Sequence, residues 1–271
     1  MIASSNISKK QQTINSSIFL SGVGLHSGAK VSLSVEPAEI NNGIKFIRTD
    51  HKDNKIINAL WTNVISTNLC TTIANKEGAS VSTIEHLMSA LSGMHIDNVN
   101  ILIDGPEVPI MDGSSLPFVE LFESNGVVKQ EIDRQIILIK KEVVVTKGDS
   151  FTKILPCKQF SIDFEIEFES HLVNKQACQL QLMNGNYKSD ISSARTFGFE
   201  KDVDYLRANG FALGGSLENA VVVGDKKILN KEGLRFEDEF VRHKMLDSIG
   251  DLYLAGNPIQ GYFYGKKSGH F

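Results

Sequence analysis

The sequence predicts an α+β fold built in two parts, and three observations carry that reading. Strand-like alternation is grouped ahead of helical periodicity in each part, which favours α+β over a doubly wound sheet. The pattern restarts after a charged segment at residues 129–134, dividing the chain into residues 1–130 and 135–271. A chain of 271 residues, with 41% hydrophobic and 22% charged content, is long enough to bury a core in both parts.

In the first part, Gly22-Val23-Gly24-Leu25-His26-Ser27-Gly28 misses the GxGxxG dinucleotide spacing by one residue and fits a hairpin loop better. Alternation marks strands at 30–35 and 44–48, joined through the turn-prone stretch 37–43. Ser82-Thr83-Ile84-Glu85 matches a capping box, and Ile84, Leu87, Met88, Leu91 and Met94 continue at helical spacing with Gly93 near the end. A strand at 98–103 ends at Asp104-Gly105-Pro106, and a helix at 117–124 is stopped by Asn125-Gly126.

In the second part, strands are expected at 136–139, 142–146 and 161–168, the last with Ile162, Phe164, Ile166 and Phe168 on one face. A short helix at 203–208 and a strand at 220–223 follow. The long helix, 239–255, gathers Phe240, Val241, Met245, Leu246, Ile249, Leu252 and Tyr253 on one broad stripe. His243, Asp247 and Asp251 line up on the other side, one turn apart.

Bulk properties exclude several function classes. A net charge of -4 without a long basic block argues against a nucleic-acid binder. Three cysteines, Cys70, Cys157 and Cys178, form no CxxC pair and suit a reducing compartment, with Cys70 read as a small hydrophobe. The N-terminus does not read as a secretory signal, and no apolar run approaches the ~20 residues that span a bilayer. The expectation is a cytoplasmic monomer without a transmembrane segment.

His86, His243 and Asp247 together supply two imidazoles and a carboxylate, the ligand set of an open catalytic zinc site rather than a closed, thiolate-rich structural one. Such a site lowers the pKa of water to about 7 and needs a carboxylate to take the water's proton. Glu85, beside His86, competes for two roles: that base, or position N3 of the capping box. The absence of HExxH excludes the familiar zinc-protease helix. His270, in Lys266-Lys267-Ser268-Gly269-His270, is either a surface residue near a terminus or a proton donor for a departing amine. If it folds over the site, Asp251 is placed to accept its ring N–H. Thr196, in Ala194-Arg195-Thr196-Phe197-Gly198-Phe199, belongs to a core strand or donates to an oxyanion. Lys244 with Lys266 and Lys267 offers cationic charge for an anionic ligand.

These segments resemble the UDP-3-O-acyl-N-acetylglucosamine deacetylase family, zinc enzymes of the committed step of lipid A synthesis in Gram-negative bacteria. The resemblance runs through nearly the whole chain. It is carried by Gly22-Val23-Gly24-Leu25-His26, Ser82-Thr83-Ile84-Glu85-His86-Leu87, Asp97-Asn98-Val99, Pro106-Glu107-Val108-Pro109-Ile110-Met111-Asp112-Gly113-Ser114, the Ala194 to Phe199 segment, the stretch 233–247 and Lys267-Ser268-Gly269-His270. It implies one catalytic zinc ion per chain on His86, His243 and Asp247, with Glu85 as general base, His270 as general acid and Thr196 at the oxyanion. It also implies Lys244 near the substrate diphosphate, Phe197 and Phe199 along the sugar and acyl-chain path, and Phe168 facing the uracil. The implied fold is two similar α/β-sandwich domains, each a sheet packed with helices, with the zinc site between them.

The expected reaction is hydrolysis of the N-acetyl group of UDP-3-O-acyl-N-acetylglucosamine. The rival is a non-catalytic, zinc-stabilised nucleotide-sugar-binding protein. That rival would need neither a base beside a ligand nor a proton donor opposite it.

Overall fold

The computed structural model describes residues 9–53, 55–182 and 185–271, and its fold is mixed α and β. A first five-stranded sheet contains β1 (Ile18–Val23), β2 (Lys30–Pro37), β3 (Ile44–Arg48), β4 (Ile56–Asn58) and β5 (Val99–Ile103) in the spatial order β1-β2-β5-β3-β4. A second contains β6 (Val143–Lys147), β7 (Ser150–Leu155), β8 (Ser161–Glu167), β9 (Lys175–Gln181) and β10 (Tyr262–Lys266) in the order β6-β7-β10-β8-β9.

The two orders are the same, and so are the directions. In each sheet the last strand enters the centre, antiparallel to the second strand and parallel to the third. The sequence carries only a coarse echo of this duplication. Strand pairing constrains alternation and burial rather than residue identity, so unlike sequences satisfy the same topology. Ile162, Phe164 and Ile166 are buried on one face of β8, as the alternation predicts.

The helices α1 (Glu85–Gly93) and α4 (Glu239–Tyr253) occupy equivalent places, each between the fourth and last strands of its sheet. They pack against each other, and α4 also lies on β8 and β9. Close approach is possible because Gly250 has no side chain: a Cβ there would run into the carbonyl oxygen of Glu85. Helix α2 (Leu116–Asn125) follows β5 and ends at Gly126, where φ is 90°. A short helix, α3 (Val203–Ala208), crosses between the parallel strands Phe197–Phe199 and Val221–Val223. A three-stranded sheet of Val64–Ser66, Thr72–Ala74 and Ser80–Val81 is added beside the first. No helix among the described residues is long and apolar enough to cross a membrane.

Some expectations need correction. The charged segment at 129–134 carries a strand the pattern does not mark: Val127–Asp133 pairs antiparallel with Lys10–Ile14. The strand expected at 136–139 shrinks to Ile137–Leu138, paired with Ile259–Gln260. The two strands on either side of 37–43 are not neighbours, since β5 lies between them. The capping box does not form: α1 begins at Glu85 after Ile84, without a side-chain cap, and the Ser82 hydroxyl donates to Pro106 O instead. The hairpin reading of Gly22 to Gly28 holds, with Val23 paired to Lys30 across the loop.

Candidate metal centre

Helix periodicity places the ligand candidates. His243 and Asp247 stand one turn apart on α4, and His86 faces them from the first turn of α1. The polar row of α4 therefore meets a second helix and is buried, with His86 4%, His243 2% and Asp247 5% exposed. Asp247 Oδ1 lies 3.3 Å from His243 Nε2 and 3.5 Å from His86 Nε2, and the two imidazoles stand perpendicular with centroids 4.9 Å apart. Ligand atoms about 2.0–2.1 Å from a tetrahedral ion are separated by roughly 3.3–3.4 Å, so the spacing is that of donors sharing one cation. Among the described residues Asp247 Oδ1 is buried without a hydrogen-bond donor, which suits a metal-ligating oxygen. These three residues could hold a metal.

Protonation suits the same role. Burial pushes the His243 imidazole down to about 3, so it is neutral at physiological pH. Its Nδ1 lies 3.0 Å from the Ala194 carbonyl and donates to it, leaving Nε2 as the free lone pair. Burial opposes the ionisation of Asp247, but His243 and the Lys244 ammonium beside it hold the carboxyl well below the usual range. Lys244 Nζ donates to Asp247 Oδ2 at 2.9 Å.

Around this group lie further titratable side chains. Glu85 is 3% exposed, and burial raises its carboxyl. Its Oε2 accepts the N–H of Thr71 at 3.1 Å, and its Oε1 lies 3.9 Å from His270 Nε2. The chain turns back after β10 so that His270 Nδ1 reaches Asp251 Oδ2 at 2.8 Å. Burial would lower the His270 imidazolium, but Asp251 and Glu85 outweigh it and raise it to about 9. A buried carboxylate and a protonated imidazole thus flank the metal candidates.

The aromatic residues also converge. Phe168, Phe197 and Phe199 form one cluster with centroid separations of 5.6, 5.6 and 6.4 Å, and Phe197 lies 6.4 Å from the His243 ring. Lys244 Nζ sits 5.8 Å over Phe197. Thr196 is held by its backbone, donating to Gly113 O at 2.7 Å and accepting from Val221 N at 2.8 Å. Next to it, the buried Arg195 is locked by Glu239, which also accepts the Arg195 and Arg235 backbone N–H groups. The expected lysine cluster does not assemble as free charge, because Lys266 pairs with Glu165 and Lys267 with Glu167 and Asp149.

Three neighbours of this group escape a reading of local patterns. Thr71, 1% exposed, bonds both Glu85 and Asp251. His26 reaches the electrostatic neighbourhood of His86 and His270. Glu107 anchors the loop that carries His26 by accepting the N–H groups of His26 and Ser27 at 2.9 and 2.7 Å.

Comparison with known proteins points the same way. Residues 11–271 match a family model described as LpxC: UDP-3-O-acyl N-acetylglycosamine deacetylase. The UDP-3-O-acyl-N-acetylglucosamine deacetylase of Syntrophus aciditrophicus (strain SB) is 49% identical over 260 residues, covering 96% of this chain and 82% of its own. The proteins of that name from Shewanella violacea and Shewanella halifaxensis are 48% and 47% identical over 262 residues, covering 96% of this chain and 86% of theirs.

Proposed function

The chain belongs to the UDP-3-O-acyl-N-acetylglucosamine deacetylase family, and from that premise we propose that His86, His243 and Asp247 hold a zinc ion at which Glu85 and His270 act as base and acid. The protein is a deacetylase of lipid A biosynthesis, hydrolysing the N-acetyl group of UDP-3-O-acyl-N-acetylglucosamine to acetate and the free amine. Zinc is chosen for the metal because two imidazoles and one carboxylate form the protein donor set of a catalytic zinc site.

When bound, the ion supplies Lewis acidity, polarising the acetamide carbonyl and making water acidic enough to react near neutrality. Glu85 takes one proton from the attacking water as the new C–O bond forms at the acetyl carbon. Thr196 donates its hydroxyl to the oxygen that gains negative charge. His270 delivers its proton to the 2-amino nitrogen as the C–N bond breaks, and Asp251 keeps the imidazole oriented and charged. Lys244 meets the diphosphate, Phe197 and Phe199 border the sugar and acyl chain, and Phe168 faces the uracil.

The single observation that carries this reading is geometric: a buried carboxyl group and an imidazole face each other beside the metal candidates. Glu85 Oε1 lies 3.9 Å from His270 Nε2, and His270 Nδ1 is held 2.8 Å from Asp251 Oδ2. That pairing supports one group that takes a proton and another that supplies one. We also read residues 1–130 and 135–271 as two domains that clasp the site, in a cytoplasmic monomer. Acetate release from the UDP-sugar, measured with metal-loaded and chelator-treated protein, tests the function. Loss on chelation and recovery on adding zinc is the expected result, and turnover indifferent to chelation would refute the zinc assignment.

A further inference from the structure

Thr71 sits where the two ligand-bearing helices meet, and its three hydrogen-bonding groups are all engaged with them. Its N–H donates to Glu85 Oε2 at 3.1 Å, on α1. Its hydroxyl donates to Asp251 Oδ1 at 2.6 Å, on α4. Its carbonyl accepts the N–H of Ile84, the residue that caps α1, at 3.4 Å. His270 closes the ring from the far side, through Asp251 Oδ2 at 2.8 Å and toward Glu85 Oε1 at 3.9 Å.

The local chain makes this position rigid. Leu69, at φ 65°, turns the backbone into the left-handed region just before it. The strand Thr72–Ala74 that follows is paired on both sides. Thr71 is therefore a fixed post rather than a loop residue that adapts to its neighbours.

A lone carboxylate turns about its final bond and offers either oxygen to a partner. Asp251 has no such freedom, because one oxygen accepts from Thr71 and the other faces His270. Glu85 is constrained in the same way by the N–H of the same residue, which leaves Oε1 for the site. Hydroxyl-to-carboxylate bonds of this length belong to the strong, charge-assisted class.

We propose that Thr71 is a positioning residue for the deacetylation, setting the placement of the base Glu85 relative to the acid His270 across the two helices. The inference rests on the reading of Glu85 and His270 as base and acid. Thr71 itself touches neither substrate nor metal in this scheme.

The test compares Thr71→Val, Thr71→Ala and Thr71→Ser in the zinc-loaded full chain. Valine keeps the shape, the N–H and the carbonyl, and removes only the hydroxyl. Loss of one charge-assisted bond predicts a fall in kcat of about 10- to 100-fold in the Val and Ala variants. KM should stay within about twofold, because substrate binding is not directly altered. Zinc content should be unchanged. Thr71→Ser should recover kcat to within about threefold, since it restores the bond. The His270 ring-nitrogen NMR signals should move in Thr71→Val and return in Thr71→Ser, which a purely structural tie would not produce. Wild-type kcat in folded Thr71→Val, a serine variant as impaired as the valine one, or unfolding of both Val and Ala variants would each overturn the proposal. Wild-type turnover in Glu85→Ala or His270→Ala would overturn instead the reading on which it rests.

Discussion

His270 Nδ1 lies 2.8 Å from Asp251 Oδ2, whereas its other ring nitrogen is 3.9 Å from Glu85. The imidazole thus has one firm partner, and that partner belongs to the helix that carries His243 and Asp247. His270 and two of the metal-ligand candidates are thus aligned by one helix.

A first consequence appears in the pH–rate profile. The alkaline limb of kcat/KM should report the proposed acid, His270, whose imidazolium is raised to about 9. Asp251→Asn removes the main carboxylate that favours the charged form, so the limb should move to lower pH while zinc is retained. An unchanged limb in Asp251→Asn, beside a large loss in His270→Ala, would mean that another group orients the acid.

The same shift predicts pH-dependent stability of the metal-free protein. The folded pKa lies above the ordinary 6.5, so the contribution is fully present below about pH 6.5 and is lost as pH rises through about 9. Its size is on the order of 3 kcal/mol. Urea unfolding of wild type and His270→Gln across that window should show the difference between them shrinking with pH. A constant difference would contradict the shift.

Metal binding should depend on all three ligand candidates. His86→Ala, His243→Ala and Asp247→Ala should each lose or greatly weaken the ~1:1 zinc stoichiometry, because removing one of three protein donors opens the shell. Elemental analysis after dialysis measures this directly. Full occupancy in all three variants would leave the site without its metal role.

Glu85→Ala separates base from cap. No capping interaction is lost in it, since the carboxylate bonds Thr71 rather than the helix start. Zinc content and fold should persist while turnover falls about 10²- to 10⁴-fold, the usual worth of general-base assistance. Near-wild-type acetate release would remove Glu85 from the chemistry.

Arg195 and Glu239 are 2% and 0% exposed and make a pair at 2.9 Å. Glu239→Ala leaves the N–H groups of Arg195 and Arg235 without their acceptor, while the guanidinium keeps only Glu232 and the Gly233 carbonyl; the expected cost is about 1–3 kcal/mol per unsatisfied buried N–H. Because Arg195 adjoins Thr196 and the Ala194 carbonyl that orients His243, kcat should fall as well. Denaturant titration with parallel kinetics checks both. A variant as stable as wild type would show that the pair is easily replaced.

Much of the site is readable from the sequence because helices impose a period. His243, Asp247 and Asp251 align every fourth residue, and Glu85 and His86 head a recognisable helix. Thr71 is not readable in this way, since its partners lie 14 and 180 residues away and nothing local marks it. The capping box misleads for a related reason: its pattern is short, and a tertiary acceptor site outcompeted the local one. Strand order was similarly hidden. Alternation identifies 44–48 and 98–103, but the insertion of β5 between β2 and β3 depends on packing far beyond either window. The charge at 129–134 marks a boundary in the pattern but not the strand Val127–Asp133, which pairs with Lys10–Ile14 as an edge strand that tolerates charge.

The central place of the last strand in each sheet bears on how the molecule comes alive. Until β10 inserts between β7 and β8, the second sheet is two separate hairpins, and such long-range closure belongs to the slow class of folding events. His270 rides four residues behind that strand, whereas the metal ligands ride on helices. On the proposed roles, metal capture and catalytic competence would be separate milestones: helices docked with β10 still out would bring the ligand candidates together before the proposed proton donor arrives.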